Sequence, residues 1–249
     1  MRILHRHTDG GSLRLAAACS GDLSSRPVVL VHGMASDHTT WAPLHRELRT
    51  VGRSVVSVDL RGHGRSGRAT RYRLNDFRDD LAFVADELGL DEFDLVGHSL
   101  GAHTALRLAM ELPGRVRRLV LEECPPMPRD QADVDEKIVP TATLGEKIRG
   151  VSALVANPLP LLRFDRSLPN MVGREFEVAA PRWWADLAES PASTLVISGG
   201  DRSFLPPRHL RSLANALPEA SFRTIEAGHS VHRDRSREFT RAVLDFLAE

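Results

Sequence analysis

The sequence contains little cysteine, no surplus of charge of either sign and no long apolar run. Its two cysteines are Cys19 and Cys124, which allow at most one internal disulfide and are too few for a zinc ribbon. The 33 basic residues equal the 33 acidic ones. Without a basic excess to neutralise phosphates, the chain is not expected to bind nucleic acid. No apolar run approaches the roughly 20 residues that cross a bilayer. The composition therefore predicts a soluble globular protein that does not bind membranes.

A secretory signal is also absent from the sequence. The amino terminus loses its apolar character within four residues, whereas such a signal needs an apolar core of roughly 7 to 15 residues. We therefore expect a cytoplasmic protein.

Five short runs of aliphatic and β-branched residues indicate strands, and the length of 249 residues suits one large α/β domain. The runs lie at residues 27–31, 54–58, 93–96, 118–121 and 194–197. Their nearly continuous apolar character is typical of parallel strands that are buried on both faces. Helical patterns alternate with these runs. The alternation predicts a mostly parallel sheet with helices on both faces and ligands at the carboxyl ends of the strands.

The alternation stops between residues 125 and 190, where eight prolines occur and no strand-like run is found. We interpret residues 125–190 as an inserted helical cap on a core domain formed by residues 1–124 and 191–249. Trp183 and Trp184 in this segment are candidates for an apolar wall against the substrate. The same two side chains are equally suited to the cap's own core.

Ser99 is the candidate nucleophile. Residues 97–101 read Gly-His-Ser-Leu-Gly, which matches the G-x-S-x-G pattern. The pattern follows a predicted strand and opens a helical segment, which is the arrangement of a nucleophile elbow that exposes the serine hydroxyl above the sheet. The alternative interpretation is an ordinary Gly-Ser turn.

A serine hydroxyl needs an imidazole partner, and His229 has the right context among the 11 histidines. It follows an apolar alternation over residues 222–225 and precedes the amphipathic final helix. His232, three residues later, is the nearest competitor. A metal site at this histidine pair is not expected, because neither an HExxH string nor a carboxylate companion accompanies it.

Two carboxylates are candidates for the group that orients the imidazole. Asp201 follows the strand at 194–197 and gives the order Ser, Asp, His. Glu123 follows the strand at 118–121, directly after Glu122. We favour Asp201, which the Ser198-Gly199-Gly200 segment places in a loop at the correct end of the sheet, and Glu123 stays open as the alternative acid.

The backbone amides of Met34 and Leu100 are the predicted donors to an oxyanion, because Met34 follows the first buried strand and Leu100 follows the nucleophile. Residues 62–67 formally satisfy the G-x-G-x-x-G fingerprint of dinucleotide-binding proteins. That interpretation, which implies a dehydrogenase that binds NAD, is rejected because the pattern does not run directly into a helix and no second strand ending in an acid follows. No cofactor is expected.

These motifs together resemble the ordered landmarks of the α/β-hydrolase superfamily. They are His32-Gly33, the segment Asp59-Leu60-Arg61-Gly62-His63-Gly64-Arg65-Ser66, the Ser99 elbow, and Gly228-His229. The resemblance implies an eight-stranded, mostly parallel sheet, a lid after the sixth strand, a Ser-His-acid triad and no cofactor. Members with an aspartate at the elbow are dehalogenases or epoxide hydrolases, and Ser99 argues against both. The sequence departs from the family at the acid: Asp201 comes one position early relative to Gly199, and some relatives carry their acid after the sixth strand.

The leading interpretation is a serine hydrolase that cleaves a small carboxylic ester or thioester through an acyl-enzyme. The same fold also serves carbon–carbon or amide bond hydrolysis and lyase or cyclase steps, so these remain alternatives. A non-catalytic ligand-binding protein is a further alternative. A small-molecule substrate is the expected partner, and the oligomeric state is left open.

Overall fold

The sheet has eight strands and forms the centre of the molecule. A computed structural model describes residues 1–8, 10–136, 138, 157–190 and 192–248. The strands are β1 (Arg2–Thr8), β2 (Gly11–Ser20), β3 (Val28–Val31), β4 (Val55–Asp59), β5 (Phe93–His98), β6 (Val116–Glu122), β7 (Ser193–Ser198) and β8 (Ala220–Thr224).

The strand order across the sheet is β1-β2-β4-β3-β5-β6-β7-β8. The pairs β1–β2 and β2–β4 are antiparallel, and the remaining pairs are parallel. The predicted eight-stranded, mostly parallel sheet is thereby confirmed, and the five apolar runs correspond to β3, β4, β5, β6 and β7. The hairpin β1–β2 had no counterpart among those runs. Its first strand alternates exposed and half-buried residues, as expected for an edge strand that buries little surface.

Ten α-helices are found in the part of the chain that the structure describes. They are α1 (Ala42–Thr50), α2 (Leu74–Glu87), α3 (Leu100–Glu111), α4 (Gln131–Asp135), α5 (Leu159–Leu162), α6 (Leu168–Glu175), α7 (Pro181–Asp186), α8 (Pro207–Ala216), α9 (Val231–Asp234) and α10 (Ser236–Ala248). Short 3-10 turns lie at His38–Trp41, Leu187–Glu189 and Gly200–Arg202.

Two apolar cores lie on opposite faces of the sheet. Val29 and Val31 of β3 belong to one core, together with residues of α2 and α3. Val28 and Leu30 of the same strand belong to the other core, together with residues of α1 and α10. Successive side chains of a strand point to opposite faces. A fully apolar strand such as β3 therefore feeds both cores, and helices cover both faces.

The segment between β6 and β7, which we call the cap, contains helices α4 to α7 among its described residues. Residues 137, 139–156 and 191 lie outside the described residues, and the domain boundaries at 125 and 190 stay a prediction. The cap packs on the core through buried apolar side chains such as Phe164 and Leu168. A polar link adds to this packing, because the Asp165 amide donates to the Gly62 carbonyl at 2.8 Å and Tyr72 donates to the Asp165 carboxylate at 2.7 Å.

None of the helices in the described ranges combines the length and the apolar character that a membrane span requires.

Two helical glycines provide a test of how tightly α3 is packed. A methyl group on Gly101 would overlap the carbonyl oxygens of Val31 and His32, whereas one on Gly173 in α6 would meet no atom within 4 Å. We expect Gly101→Ala to lower the free energy of unfolding by about 2 kcal/mol or more, as overpacked sites do. Gly173→Ala, the matched control, should leave stability unchanged or raise it by up to about 1 kcal/mol, because alanine favours helix. Urea unfolding of both variants measures the difference, and equal effects would contradict the close packing of α3 on β3.

Candidate active site

Ser99 lies on a sharp turn between β5 and α3. Its backbone has φ 51° and ψ −117°, a conformation that non-glycine residues adopt at a cost of the order of 1–3 kcal/mol. The turn is so tight that a methyl group on Gly97 would lie 2.6 Å from the Ala102 Cα atom. The amide of Ser99 donates to the Glu122 carbonyl at 2.9 Å, which ties the turn to the end of β6. The serine is half-buried, and its hydroxyl faces the loop that follows β8.

His229 reaches Ser99 from the loop after β8. Its Nε2 atom lies 2.9 Å from Ser99 Oγ. Gly228, with φ 100°, precedes it, and a methyl group on Gly199 would overlap the Gly228 carbonyl oxygen. The loop therefore lies directly on the end of β7. This close approach of two backbones brings the histidine back over the sheet to the elbow at the end of β5.

Glu123 is the carboxylate next to His229. Its Oε2 atom lies 3.0 Å from His229 Nδ1, and the side chain is fully buried. The same carboxylate accepts hydrogen bonds from the Gly199 amide at 2.5 Å and from the Ser203 hydroxyl. Because a carboxylate accepts, His229 Nδ1 carries the proton, and Nε2 is left to accept from the Ser99 hydroxyl. The arrangement is a chain of hydrogen bonds from serine through histidine to glutamate.

Asp201, the acid favoured by the sequence, does not occupy this place. It lies exposed on the 3-10 turn Gly200–Arg202, while Ser203, three residues after Gly200, donates to Glu123. Both β6 and β7 lie between β5 and β8 in the sheet, so the strand order allows either acid. The 3-10 turn after β7 makes the difference, because it leaves Asp201 exposed while the Glu123 side chain is fully buried against His229. The geometry favours the alternative acid, Glu123, over Asp201.

The loop after β3 carries Met34, one of the two predicted oxyanion donors. Within the part of the chain that the structure describes, neither the Met34 amide nor the Leu100 amide donates to a protein acceptor, so both are available to a ligand. His63 supports this loop, since its Nε2 accepts from the Ala35 amide at 3.2 Å and its Nδ1 donates to the Arg61 carbonyl at 2.9 Å. Burial lowers the pKa of His63 to about 3, which keeps the ring neutral and able to accept.

His32, whose ring contacts that of His63, supports the same loop. Its Nδ1 donates to the Gly33 carbonyl at 2.8 Å, and its Nε2 accepts from the Leu60 amide at 3.1 Å. Burial also lowers the pKa of His32. Phe164 of the cap lies against His63, with 4.9 Å between the ring centroids. The loop that would bind an oxyanion is therefore held by two neutral histidines, one of which touches the cap.

The glycine-rich segment at 62–67 forms a turn that is closed on itself. The Gly62 amide donates to the Gly67 carbonyl at 2.8 Å, and a methyl group on Gly64 would lie 2.5 Å from the carboxylate of Asp59. No helix follows before Leu74. A dinucleotide pyrophosphate would need a helix amino terminus at this point, so the structure gives the NAD interpretation no support.

Trp183 joins the cap to the core, whereas Trp184 is hydrogen-bonded within the cap. Trp183 stacks on His103 of α3 with 5.6 Å between ring centroids, and the Trp184 indole donates to the Met127 carbonyl at 2.7 Å. Their contact with substrate stays a prediction. No sequence pattern pointed to Phe204, whose ring centroid lies 4.2 Å from that of His229. Its position six residues after β7 was the available signal.

Two groups of side chains in the described ranges have the composition of metal ligands. In the first group, formed by His98, Glu122 and His232, the candidate ligand atoms lie within 4.8 Å of one another. Hydrogen bonds account for this group, because the Glu122 carboxylate accepts from both the amide and the Nδ1 of His232.

The second group is formed by Asp133, Glu136 and His209. Its carboxylates are paired with arginines, Asp133 with Arg129 and Glu136 with Arg208. We assign no metal to either group.

Comparison with known proteins places the chain in a family. A family model described as the alpha/beta hydrolase family matches residues 28–242. A 2-hydroxy-6-oxononadienedioate/2-hydroxy-6-oxononatrienedioate hydrolase of Burkholderia vietnamiensis is 30% identical over 96% of this chain and 92% of its own length. The sn-1-specific diacylglycerol lipase of Mus musculus is 28% identical over 92% of this chain and 83% of its own length.

Solved structures have the same fold. A carboxylesterase of Nitrososphaera gargenis superimposes with a TM-score of 0.82 at 18% identity, covering 98% of both chains. The enol-lactonase of Burkholderia xenovorans superimposes with a TM-score of 0.78 at 23% identity, covering 99% of this chain and 100% of the other. With the family model matching most of the sequence, the chain belongs to the α/β-hydrolase family and is an enzyme of the hydrolase class.

Proposed function

We propose that the protein is a serine hydrolase that cleaves a small carboxylic ester or thioester through an acyl-enzyme. The observation that carries the proposal is the chain of hydrogen bonds from Ser99 Oγ to His229 Nε2 at 2.9 Å and from His229 Nδ1 to Glu123 Oε2 at 3.0 Å. A serine becomes an effective nucleophile when an adjacent base removes its proton and a third group orients that base.

The reaction starts when Ser99 Oγ attacks the substrate carbonyl and its proton passes to His229 Nε2. The Glu123 carboxylate stabilises the positive imidazole, and the amides of Met34 and Leu100 donate to the oxyanion that forms. The carbonyl then reforms as the bond to the leaving alcohol or thiol breaks, and His229 returns the proton to the leaving group. Water, activated by His229, attacks the acyl-enzyme in the same way, releasing the acid and free Ser99.

The surroundings of the site support a neutral acyl substrate. Phe204 packs on the His229 ring, and Phe164 of the cap packs on His63 beside the oxyanion loop. Aromatic walls with a few placed polar groups are typical of small-molecule sites. The carboxylesterase and the enol-lactonase of similar fold cleave bonds of this kind, as their names state. We propose no cofactor, and the cytoplasmic location stays a prediction.

Carbon–carbon bond hydrolysis is the second candidate function. It is favoured by the Burkholderia vietnamiensis relative, a hydrolase of a 2-hydroxy-6-oxo dienedioate that is 30% identical over nearly the whole chain. The same serine and histidine would serve such a reaction, so the catalytic residues alone do not distinguish ester hydrolysis from carbon–carbon bond hydrolysis.

A substrate panel that contains short-chain p-nitrophenyl esters, a thioester and a 2-hydroxy-6-oxo dienoate distinguishes the two reactions. We expect the highest kcat/KM with an ester or the thioester.

Ser99→Ala tests the acyl-enzyme directly. We expect ester turnover to fall by about a thousandfold or more, because losing the nucleophile of a triad leaves only binding and oxyanion stabilisation. Stability should change little, since the substitution removes one half-buried hydroxyl. Steady-state kinetics, urea unfolding and mass mapping of a fluorophosphonate adduct measure these effects. Ser25→Ala on the surface is the matched control and should behave as the parent does. Turnover comparable to the parent's in Ser99→Ala would rule out the acyl-enzyme.

The pair Glu123→Gln and Asp201→Asn tests the identity of the acid. We expect Glu123→Gln to lower kcat by roughly a thousandfold to ten-thousandfold, since the group that orients the histidine of a serine triad has an effect of this size. Asp201→Asn should change kcat by less than about tenfold, because a solvated loop carboxylate contributes little. Thermal melting of both variants separates lost catalysis from lost folding. The opposite ranking would return the role to Asp201, and the double variant shows whether the two carboxylates act on one imidazole.

A further inference from the structure

The side chains of His98 and Glu122 each bind the main chain at or after His229, in addition to the amides of Ala227 and Gly228, which donate to the Gly199 carbonyl at 3.0 and 2.9 Å. His98 Nε2 lies 2.7 Å from the carbonyl oxygen of His229. Three residues after His229, the His232 amide donates to Glu122 Oε1 at 2.9 Å. His98 directly precedes Ser99, and Glu122 directly precedes Glu123. The neighbours of the serine and of the carboxylate therefore bind the segment that carries the histidine.

The His98 ring contacts two parts of the site, the main chain of His229 and the oxyanion loop. A carbonyl oxygen only accepts, so His98 Nε2 carries the proton, and burial lowers the pKa of His98 well below its usual value, which keeps the ring neutral. The other side of the ring packs on the oxyanion loop, since a methyl group on Gly33 would lie 2.6 Å from His98 Nδ1. The His98 side chain thus lies between the loop that carries His229 and the oxyanion loop, and His98 directly precedes Ser99 in the chain.

Glu122 and His232 form a second buried glutamate–histidine pair. His232 Nδ1 lies 2.8 Å from Glu122 Oε2, and His232 Nε2 lies 2.7 Å from Thr40 Oγ1. The Glu122 side chain is fully buried and that of His232 is 3% exposed. The carbonyl of the same glutamate accepts from the Ser99 amide at 2.9 Å. Glu122 therefore binds the elbow through its main chain and the segment of His229 through its side chain.

We propose that His98 and the Glu122–His232 pair are positioning residues for His229. They hold the main chain of His229 at a set distance from the Ser99 elbow, while Glu123 orients the imidazole ring. The hydrogen bond from His229 Nδ1 to Glu123 cannot also fix the main chain, because it holds one ring atom and the backbone can still shift. A shift of about 1 Å at a reacting group lowers a rate by roughly a hundredfold. The proposal rests on the proposed function, since it assigns His229 the role of base.

Two substitutions of His98 show whether its hydrogen bond positions His229 or whether its ring only fills space in the core. His98→Met retains the bulk and removes the donor, whereas the side-chain amide of His98→Gln can still donate to the His229 carbonyl. We expect His98→Met to lower kcat with a p-nitrophenyl ester by about tenfold to a hundredfold with KM within about twofold. His98→Gln should recover kcat to within about fivefold of the parent. His5→Met, an exposed histidine on β1, is the control and should leave kcat unchanged.

The outcomes for His98 are distinct. An unchanged kcat in His98→Met overturns the proposal, and so does an equal loss in both variants, because the donor would then be irrelevant. Urea unfolding of each variant excludes a loss that comes from unfolding.

A paired variant keeps the proposal testable if His98→Met does not fold. Glu122→Met combined with His232→Phe replaces the buried pair with apolar groups of similar size and leaves no buried charge unpaired. We expect a folded protein whose kcat is at least about tenfold lower, with KM little changed. A folded double variant with full activity would overturn the role of the pair.

One readout is independent of turnover. The proton of His229 Nδ1 in its hydrogen bond to Glu123 is observable by low-field proton NMR. We expect its signal to shift or broaden in His98→Met and to be retained in His98→Gln. If the parent protein hydrolyses no ester, the proposed function fails, and the NMR comparison still decides whether His98 positions His229. An unchanged signal in His98→Met would overturn the positioning role.

Discussion

The buried carboxylate of Glu123 is the group on which the geometry of the site depends. A buried charge is stable only when it is paired or hydrogen-bonded, and Glu123 obtains its donors from three places: the Gly199 amide, the Ser203 hydroxyl and the His229 ring. These donors follow β7 and β8, while the carboxylate follows β6. The ends of β6, β7 and β8 must therefore lie side by side for the buried charge to be stable. The same arrangement of strand ends places His229 against Ser99.

This arrangement requires pairs of backbone segments to lie so close together that only glycine fits between them. Gly97 and Gly101 let the elbow pack against β3 and α3, and Gly199 lets the loop of His229 lie on the end of β7. The site is thus assembled from main-chain contacts first, and the reacting side chains are attached to segments whose positions are already set. His98 and Glu122 extend this principle, since each binds the main chain near His229 by hydrogen bonds.

The strands that the sequence predicted are those buried on both faces, because such strands are continuous apolar runs. β3 is the clearest case, with all four residues buried. The strands β1 and β2 had no predicted counterpart, because both contain exposed residues and carry charged side chains that hide the alternation. Ser99 and His229 were recognisable because each stands in a short pattern directly after a strand. Phe204 and Glu122 carry no such pattern, and His98 stands in the pattern of Ser99 at a position that the pattern leaves free, so the contacts of all three became known only from the tertiary structure.

The sequence by itself determined the class of fold and pointed to Ser99 and His229 as the candidate nucleophile and base, because these follow from local periodicity and from glycines that only a tight turn requires. It left two carboxylates as candidates for the acid, since Glu123 and Asp201 both follow strands whose carboxyl ends lie at the same edge of the sheet. Only the tertiary structure distinguished them by their contacts. Glu123 is buried against His229, whereas the 3-10 turn after β7 leaves Asp201 exposed to solvent. Such contacts come from the packing of segments that are distant in the chain, which local sequence does not encode.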